Sequence, residues 1–371
     1  NGKSVDENVW VETIASNKQT MALIKRGLDC RSCITPEVTG FDTLLPYTSS
    51  WLQMGRLLAL TTRHDRLAGY YADATDTCIS LLEFSDMIQT NAEGIINYLV
   101  GTAVLHLGLM QAQDLARDKG TPFDELKRLS ICLAGLGSFA PGLVHAIKVE
   151  YRVVASLVDQ LRNRKLGMNE LTGIGGDNPS SLLKGRRPPK YFFQPNKTKL
   201  TFANFCRDVI NSAPLCYADM NRCDMEDPLE LNAGVVKFIT KPNAIGRILY
   251  EILISSFDNL LERKCRAECD VAATRLLVAC NAYQKKEGRW PDDLQSLLPA
   301  YLAAIPADPY DGNAFRYSPS MGIVYSVGKD LKDSGGSSQM PAGEKEESSY
   351  TRRWKAEDAV YEIEAGTEQR N

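Results

Sequence analysis

Apolar residues recur at intervals of three and four through most of residues 4–166, and this spacing restricts the fold more than any other feature of the sequence. Between residues 67 and 81 the intervals are 4, 3, 4 and 3, set by Leu67, Tyr71, Ala74, Cys78 and Leu81. Such a pattern places the apolar side chains on one face of an α-helix. Comparable patterns predict helices over 49–62, 91–116, 122–135 and 142–165. The short connections between them favour antiparallel helical hairpins.

The longest stretch without a charged residue runs from Gly94 to Gln113 and contains 20 residues, the length that a membrane-spanning helix needs. It also contains polar residues and glycines that a lipid-exposed helix would rarely combine, namely Asn97, Thr102, His106, Gln111, Gly101 and Gly108. We therefore expect a buried helix of a soluble domain at this position, rather than a membrane span.

The helical spacing breaks down between residues 167 and 198, where glycine and proline are frequent. This segment includes four clustered cations in Lys184-Gly-Arg-Arg-Pro-Pro-Lys190 and is predicted to be a long surface loop. The helical pattern resumes at 200–213 and again at about 242–287. The second of these helices would be about 45 residues long, and the charges clustered at 262–270 suggest a kink there.

Beyond Gly288 short alternating segments are separated by proline and glycine turns. Residues 314–317 and 323–327 alternate as strands do, and the segment Ser318-Pro-Ser-Met-Gly322 between them fits a hairpin loop. Residues 358–364 are expected to form a third strand, and residues 334–357 a loop rich in Gly, Ser, Lys and Glu.

The sequence therefore predicts an α+β protein with two parts. The first is a large all-α domain of helical hairpins over residues 1–241, which includes the loop at 167–198. The second spans residues 242–371 and consists of the long helix and a small antiparallel sheet at about 313–364.

The overall composition argues against several classes of protein. The chain of 371 residues carries 43 basic and 46 acidic side chains, a net charge of −3, whereas a general nucleic-acid binder carries a basic excess. Its three histidines are few for a metal or acid–base enzyme. Ten cysteines favour an oxidising compartment, and we expect them to be structural or buried, including the pair Cys30 and Cys33.

An ordered string of motifs in the last 100 or so residues resembles the globular domain of type II secretion major pseudopilins. The string begins with Ala282-Tyr-Gln-Lys-Lys-Glu-Gly-Arg-Trp-Pro291 and continues through Tyr301-Leu-Ala-Ala-Ile-Pro-Ala-Asp-Pro-Tyr-Asp-Gly312. It ends with Phe315-Arg-Tyr317, Val324-Tyr-Ser-Val-Gly-Lys-Asp330 and Gly335-Gly336. The resemblance implies a pilin-like module in which one helix supports the small sheet. The hydrophobic N-terminal helix that builds pseudopilin filaments does not precede this module, so filament assembly of the usual kind is not expected.

The chain as a whole resembles envelope proteins of unknown function from Planctomycetes and Verrucomicrobia, which place a pseudopilin-like tail after a helical region. The segments that carry this resemblance are Arg56-Leu-Leu-Ala-Leu60 and Asn243-Ala-Ile-Gly-Arg247. It implies an extracytoplasmic protein, in the periplasm or cell envelope, that reaches the membrane only through an N-terminal segment absent from this chain.

Major pseudopilins bind calcium in the loop that follows the second of these strands, and the resemblance extends this expectation to the present chain. Asp330 matches the first loop aspartate of that family, and Asp358 matches the aspartate before the last strand. Asp333 is a further local candidate for calcium. Leu331 stands where the family often has glycine, which is a departure from the pattern.

No group of residues predicts an enzyme. Ser181-Leu-Leu-Lys184 has the spacing of serine acyl-transfer enzymes, but the accompanying motifs of those enzymes are missing. The leading hypothesis is a non-enzymatic envelope protein that acts as an interaction or scaffold module for unidentified protein partners, without nucleic acid. Two alternatives stay open: a hydrolase with its site near the loop at 167–198, and an accessory subunit of a secretion or pilus system.

Overall fold

The computed structural model describes residues 7–30, 34–40, 42–163, 190–220, 240–255, 259–340 and 349–364. This part of the chain has the predicted α+β fold. Its helices are α1 (Glu7–Ser16), α2 (Lys18–Leu28), α3 (Tyr47–Leu67), α4 (Tyr71–Thr90), α5 (Ile95–Arg117), α6 (Phe123–Gly135), α7 (Ala140–Arg162), α8 (Pro195–Ser212), α9 (Ala244–Ser255), α10 (Leu260–Glu287) and α11 (Ser349–Lys355). Its strands are β1 (Arg316–Ser318), β2 (Ile323–Ser326) and β3 (Ala359–Glu362).

The predicted helical hairpins are confirmed, with α5 at their centre. Helices α3, α4 and α5 pack against one another, and α5 also packs against α7 and α10. Gly101 and Gly108 lie where α5 meets α4: a Cβ atom at Gly108 would stand 2.8 Å from Cδ2 of Leu82. The two glycines of the uncharged run therefore allow a close helix–helix contact, as small residues do where backbones approach.

Among the described residues, α5 is the only helix that is by itself long and apolar enough to span a membrane. Its most apolar window is 56% buried inside the fold, and core helices of soluble proteins share these properties. Helices α6 and α7 meet the same criterion only as a pair, joined across a bend of 42°. The packing of α5 against the surrounding helices agrees with the expected buried helix.

The expectation of one long helix over 242–287 was wrong, because this part of the chain forms two helices, α9 and α10. Helix α10 begins after Asn259, whose φ of 62° lies in the left-handed region and cannot continue a helix. No kink occurs at 262–270, because the charges there form pairs one helical turn apart. Glu262 pairs with Arg266, and Lys264 Nζ lies 2.6 Å from Glu268 Oε2. These pairs stabilise the helix that they were expected to interrupt.

Helix α10 belongs to two hydrophobic cores. Leu260, Ala267 and Val278 join the core of the helical part, which also contains α9. Cys269, Leu276 and other residues on another side of α10 pack beneath the small sheet. Although α9 follows the predicted domain boundary at residue 241, it packs on α8 within the helical core. The helical part and the C-terminal module are thus joined along the length of one helix.

The sheet of the C-terminal module has the order β1–β2–β3, and both pairs are antiparallel. In its register Tyr317 lies opposite Val324, and Val324 lies opposite Tyr361. All four residues of β2 are buried. The hairpin at Ser318–Gly322 and the third strand are both confirmed.

Two predicted loops differ from the structure. The loop over 334–357 contains α11, whose Trp354 is buried against Tyr310 at a ring separation of 6.0 Å. Helix α11 is thus held by an aromatic contact with a residue far away in the sequence, and not by a local pattern of apolar residues. The loop over 167–198 ends earlier than expected, because α8 begins at Pro195, and proline suits the first turn of a helix. Most of that loop, residues 167–189, lies outside the described residues.

Candidate functional site

A cavity of about 490 Å³ lies where the helical part meets the C-terminal module, and we call it the junction pocket. One wall comes from α5, with Leu99, Ala103 and His106. The other walls come from the first turns of α10, from Lys329 after β2 and from Tyr350 on α11. Elements far apart in the sequence therefore meet here, and the size is that of a small-ligand site.

The α10 wall is cationic. Glu262 is only 4% exposed, and its carboxylate accepts hydrogen bonds from Arg266 and from Lys329 Nζ, the latter at 2.8 Å. Burial raises the pKa of Glu262, but Lys329 and Arg266 outweigh burial and hold that pKa below its ordinary value. Arg263 adds an exposed guanidinium at the rim. Among the described residues, the lining of the pocket thus has three cations and one carboxylate.

The α5 wall carries no charged side chain among the described residues that line the pocket at neutral pH. The imidazole of His106 contacts the ring of Tyr350 at a centroid distance of 4.0 Å. Burial, and next the charge of Arg353, lower the pKa of His106 to about 4, so this histidine is neutral at pH 7. The hydroxyl of Thr102 donates to the carbonyl of Tyr98 within α5. The wall therefore offers neutral surface opposite the cations.

A buried carboxylate lies behind His106. Asp270 on α10 accepts a hydrogen bond from the hydroxyl of Tyr361 at 2.7 Å, and Arg353 Nη1 lies 3.6 Å from the same oxygen. Burial raises the pKa of Asp270 to about 6, although Arg353 and the Tyr361 hydroxyl oppose the rise. The other carboxylate oxygen lies 3.9 Å from His106 Nδ1, too far for a hydrogen bond.

The stability of the fold is expected to respond to pH through these two groups in opposite directions. Because the pKa of His106 falls to about 4 on folding, its contribution is lost as the pH drops from about 6.5 towards 4. Because the pKa of Asp270 rises to about 6, its contribution grows as the pH drops through 6. Relative to the native chain, His106→Gln should gain stability on acidification and Asp270→Asn should lose it.

Chemical denaturation of the native chain and both variants at pH 7, 6, 5 and 4 measures this effect. A group that changes by one proton on unfolding contributes about 1.4 kcal/mol per pH unit. Parallel pH profiles for the two variants would contradict the opposite roles of His106 and Asp270.

The three residues expected to bind calcium lie in and beside the loop after β2. Asp358 is buried, and its carboxylate accepts hydrogen bonds from the backbone N–H groups of Gly336 at 2.8 Å and Ser337 at 3.1 Å. Asp330 is exposed and accepts from the N–H of Lys332. Leu331 has a φ of 60°, so the backbone keeps a conformation that favours glycine even though glycine is absent.

Asp333, the third calcium candidate, belongs to a cluster around the guanidinium of Arg316. Nε of Arg316 donates to Asp333 at 3.3 Å, and Nη1 donates to the buried Asp308 at 2.9 Å. Asp311 binds the same guanidinium. No group of three or more potential metal-ligating side chains occurs among the described residues. Protein donors thus already engage the carboxylates of Asp333 and Asp358, and a calcium ion would have to compete with these donors.

Of the eight cysteines among the described residues, five are buried and two are half-buried. Cys265, Cys269 and Cys280 lie in the core beneath the sheet, where they fill space as small apolar side chains. Cys30 is an exception, because it is exposed on the surface after α2. Its sequence neighbour Cys33 lies outside the described residues, as do Ser181 and Lys184.

Sequence reasoning missed the junction pocket. The three histidines lie on the separate helices α3, α5 and α7, and their spacing in the sequence matches no metal-ligand motif. The charged residues at 262–270 indicated only a kink in the helix, not a binding site. The one available signal was a histidine within the uncharged run of α5.

Comparison of the chain with family models, with curated proteins and with solved structures gives no match.

Proposed function

We propose that the protein is a non-enzymatic interaction module of the cell envelope and that a partner docks at the junction pocket. The observation that carries this proposal is the pocket itself. It lies between the helical part and the C-terminal module, and among the described residues that line it three cations face one carboxylate. A concave site lined by both apolar and charged side chains is typical of ligand recognition. The resemblance of the C-terminal module to pseudopilins supports the envelope setting.

The His106–Asp270 pair favours a hydrolase as the second candidate, because a histidine at a pocket wall backed by a carboxylate is a common acid–base arrangement. Four observations weigh against it. The two side chains lie 3.9 Å apart, Asp270 already accepts from Tyr361, and burial makes His106 a weak base. The hydroxyl of Thr102 on the same wall is engaged within its own helix. Turnover by the pure protein that is lost in His106→Gln would favour the hydrolase instead.

Site-specific photo-crosslinking tests the interaction. We expect p-benzoylphenylalanine at Tyr350, which replaces one aromatic side chain by another at the pocket wall, to give discrete higher-mass adducts in the native host. The matched control is the same substitution at Tyr70, a 60% exposed aromatic residue before α4.

Adducts at position 350 and none at position 70 would support a partner at the pocket, which mass spectrometry of the adduct then identifies. Equal adducts at both positions, or none at position 350, would contradict the proposal.

A further inference from the structure

We propose that the junction pocket binds the C-terminal residue of a partner polypeptide through its free α-carboxylate. This inference rests on the proposed function and names the chemistry that the pocket recognises. It depends on the arrangement of the cations, on the neutral wall opposite them and on the size of the cavity.

The cationic wall has donor capacity beyond what Glu262 needs. Glu262 binds both Arg266 and Lys329 and so offsets one of three positive charges. Within the described residues the buried Nε of Arg266 has no hydrogen-bond partner. The guanidinium of Arg266 lies over the ring of Trp354 at 5.5 Å, which restrains its orientation. Planar guanidinium groups bind carboxylates with paired hydrogen bonds, so an incoming carboxylate is the complementary ligand.

The position of Glu262 also disfavours other ligands. A cationic ligand would have to compete with Arg266 and Lys329 for one carboxylate that is only 4% exposed. A neutral ligand would leave the excess positive charge of Arg263 and Arg266 uncompensated in a concave site. The charge of the wall therefore selects an anion.

The α5 wall distinguishes a chain terminus from an acidic side chain. Leu99 and Ala103 add apolar surface to the cavity that Arg263 and Arg266 also line. An α-carboxylate has a side chain on the adjacent carbon atom, which can pack on this surface while the carboxylate meets the cations. The carboxylates of Asp and Glu are ends of side chains and carry no such apolar group. A cavity of about 490 Å³ is at the small end for ligand sites, which suits one or two terminal residues.

Calorimetric titration of the full chain with three probes tests the inference. The probes are N-acetyl-Leu-Leu with a free carboxylate, the same dipeptide as its C-terminal amide, and N-acetyl-Leu-Asp amide, which has only a side-chain carboxylate. We expect the free acid to bind and each amide to bind about tenfold more weakly or worse, because a charge-assisted hydrogen bond is lost.

Two variants locate the binding. Arg263→Gln removes an exposed cation from the rim without disturbing the buried Glu262, and it should weaken binding of the free acid about tenfold. Lys127→Gln removes an exposed cation on α6 that does not line the pocket and should leave binding unchanged.

The outcomes separate this inference from the proposed function. Equal binding of the free acid and its amide, a preference for the Asp probe, no binding at all, or equal effects of both variants would overturn the terminal-carboxylate inference. If crosslinking at position 350 still identifies a partner, the proposed interaction is supported and only the recognition of a terminal carboxylate is wrong. If crosslinking also fails, the proposed function is overturned as well.

Discussion

Replacing Arg316 with glutamine is expected to lower the free energy of unfolding by about 3 kcal/mol, because it leaves a buried carboxylate without its counter-charge. Asp308 is fully buried, and Nη1 of Arg316 lies 2.9 Å from its Oδ2. Asp308 keeps three other hydrogen bonds in the variant, from the backbone N–H groups of Tyr310 and Val327 and from the hydroxyl of Ser326. We therefore expect a loss near the lower end of the range for broken buried ion pairs. Chemical denaturation measures the change.

The matched control is Arg289→Gln in the same module. Arg289 pairs with Asp292 at 2.7 Å on the open surface, and exposed ion pairs contribute little to stability. We expect this variant to unfold at the same denaturant concentration as the native chain. Equal losses in the two arginine variants would show that the burial of Asp308 is not what makes Arg316 important.

Chemical denaturation also tests whether the folded chain binds calcium. Since protein donors engage Asp333 and Asp358, excess calcium or a chelator should leave the unfolding midpoint of the native chain unchanged. A ligand that binds only the folded state would raise it by mass action, by about 2.7 kcal/mol at a hundredfold excess over its dissociation constant. A calcium-dependent rise that disappears in Asp330→Ala would show that the resemblance to pseudopilins extends to the metal.

Replacing Trp354 with alanine is expected to cost about 3–5 kcal/mol, the range for removing a large buried aromatic side chain. Trp354 is 7% exposed and packs against Tyr310 at 6.0 Å and Tyr350 at 6.2 Å, measured between ring centroids. It also supports the guanidinium of Arg266. The variant should therefore destabilise the C-terminal module and weaken probe binding at the junction pocket together.

Trp354→Phe separates these effects from a general loss of folding. Phenylalanine keeps an aromatic ring at the same place, so we expect a smaller loss of stability and a folded protein in which binding can be measured. A loss below about 1 kcal/mol in Trp354→Ala, the scale of an average point substitution, would show that α11 is not anchored by this residue.

The sequence predicts the regular elements of this fold well, because each depends on a local pattern. Helices of the first 163 residues follow apolar intervals of three and four, and the three strands follow alternation between turn residues. Local patterns do not predict an element that is held in place by residues far away in the sequence. Helix α11 contains few apolar residues, and its Trp354 packs on Tyr310, which is far away in the chain.

The junction pocket could not be predicted for the same reason. Its walls come from α5, α10, the segment after β2 and α11, and no motif links His106, Arg263 and Tyr350 in the sequence. The spacing of four residues between Glu262 and Arg266 is a sequence signal for an ion pair on a helix, but nothing in the sequence indicates that Lys329 joins them. Only the fold shows that Glu262 binds Arg266 and Lys329 and that the pocket keeps a positive excess.

Nuclear magnetic resonance of the full chain during titration with N-acetyl-Leu-Leu tests the central claim most directly, because it reports both binding and place. Signals of the Leu99 methyl groups and the His106 imidazole, on the pocket wall, are compared with those of Leu133, a buried residue of α6. We predict saturable shifts at Leu99 and His106 and none at Leu133, and we expect the amide to need about tenfold higher concentrations, or more, for the same shifts. Shifts that are absent from the pocket residues, or that are the same with the amide, would contradict a carboxylate-binding junction pocket.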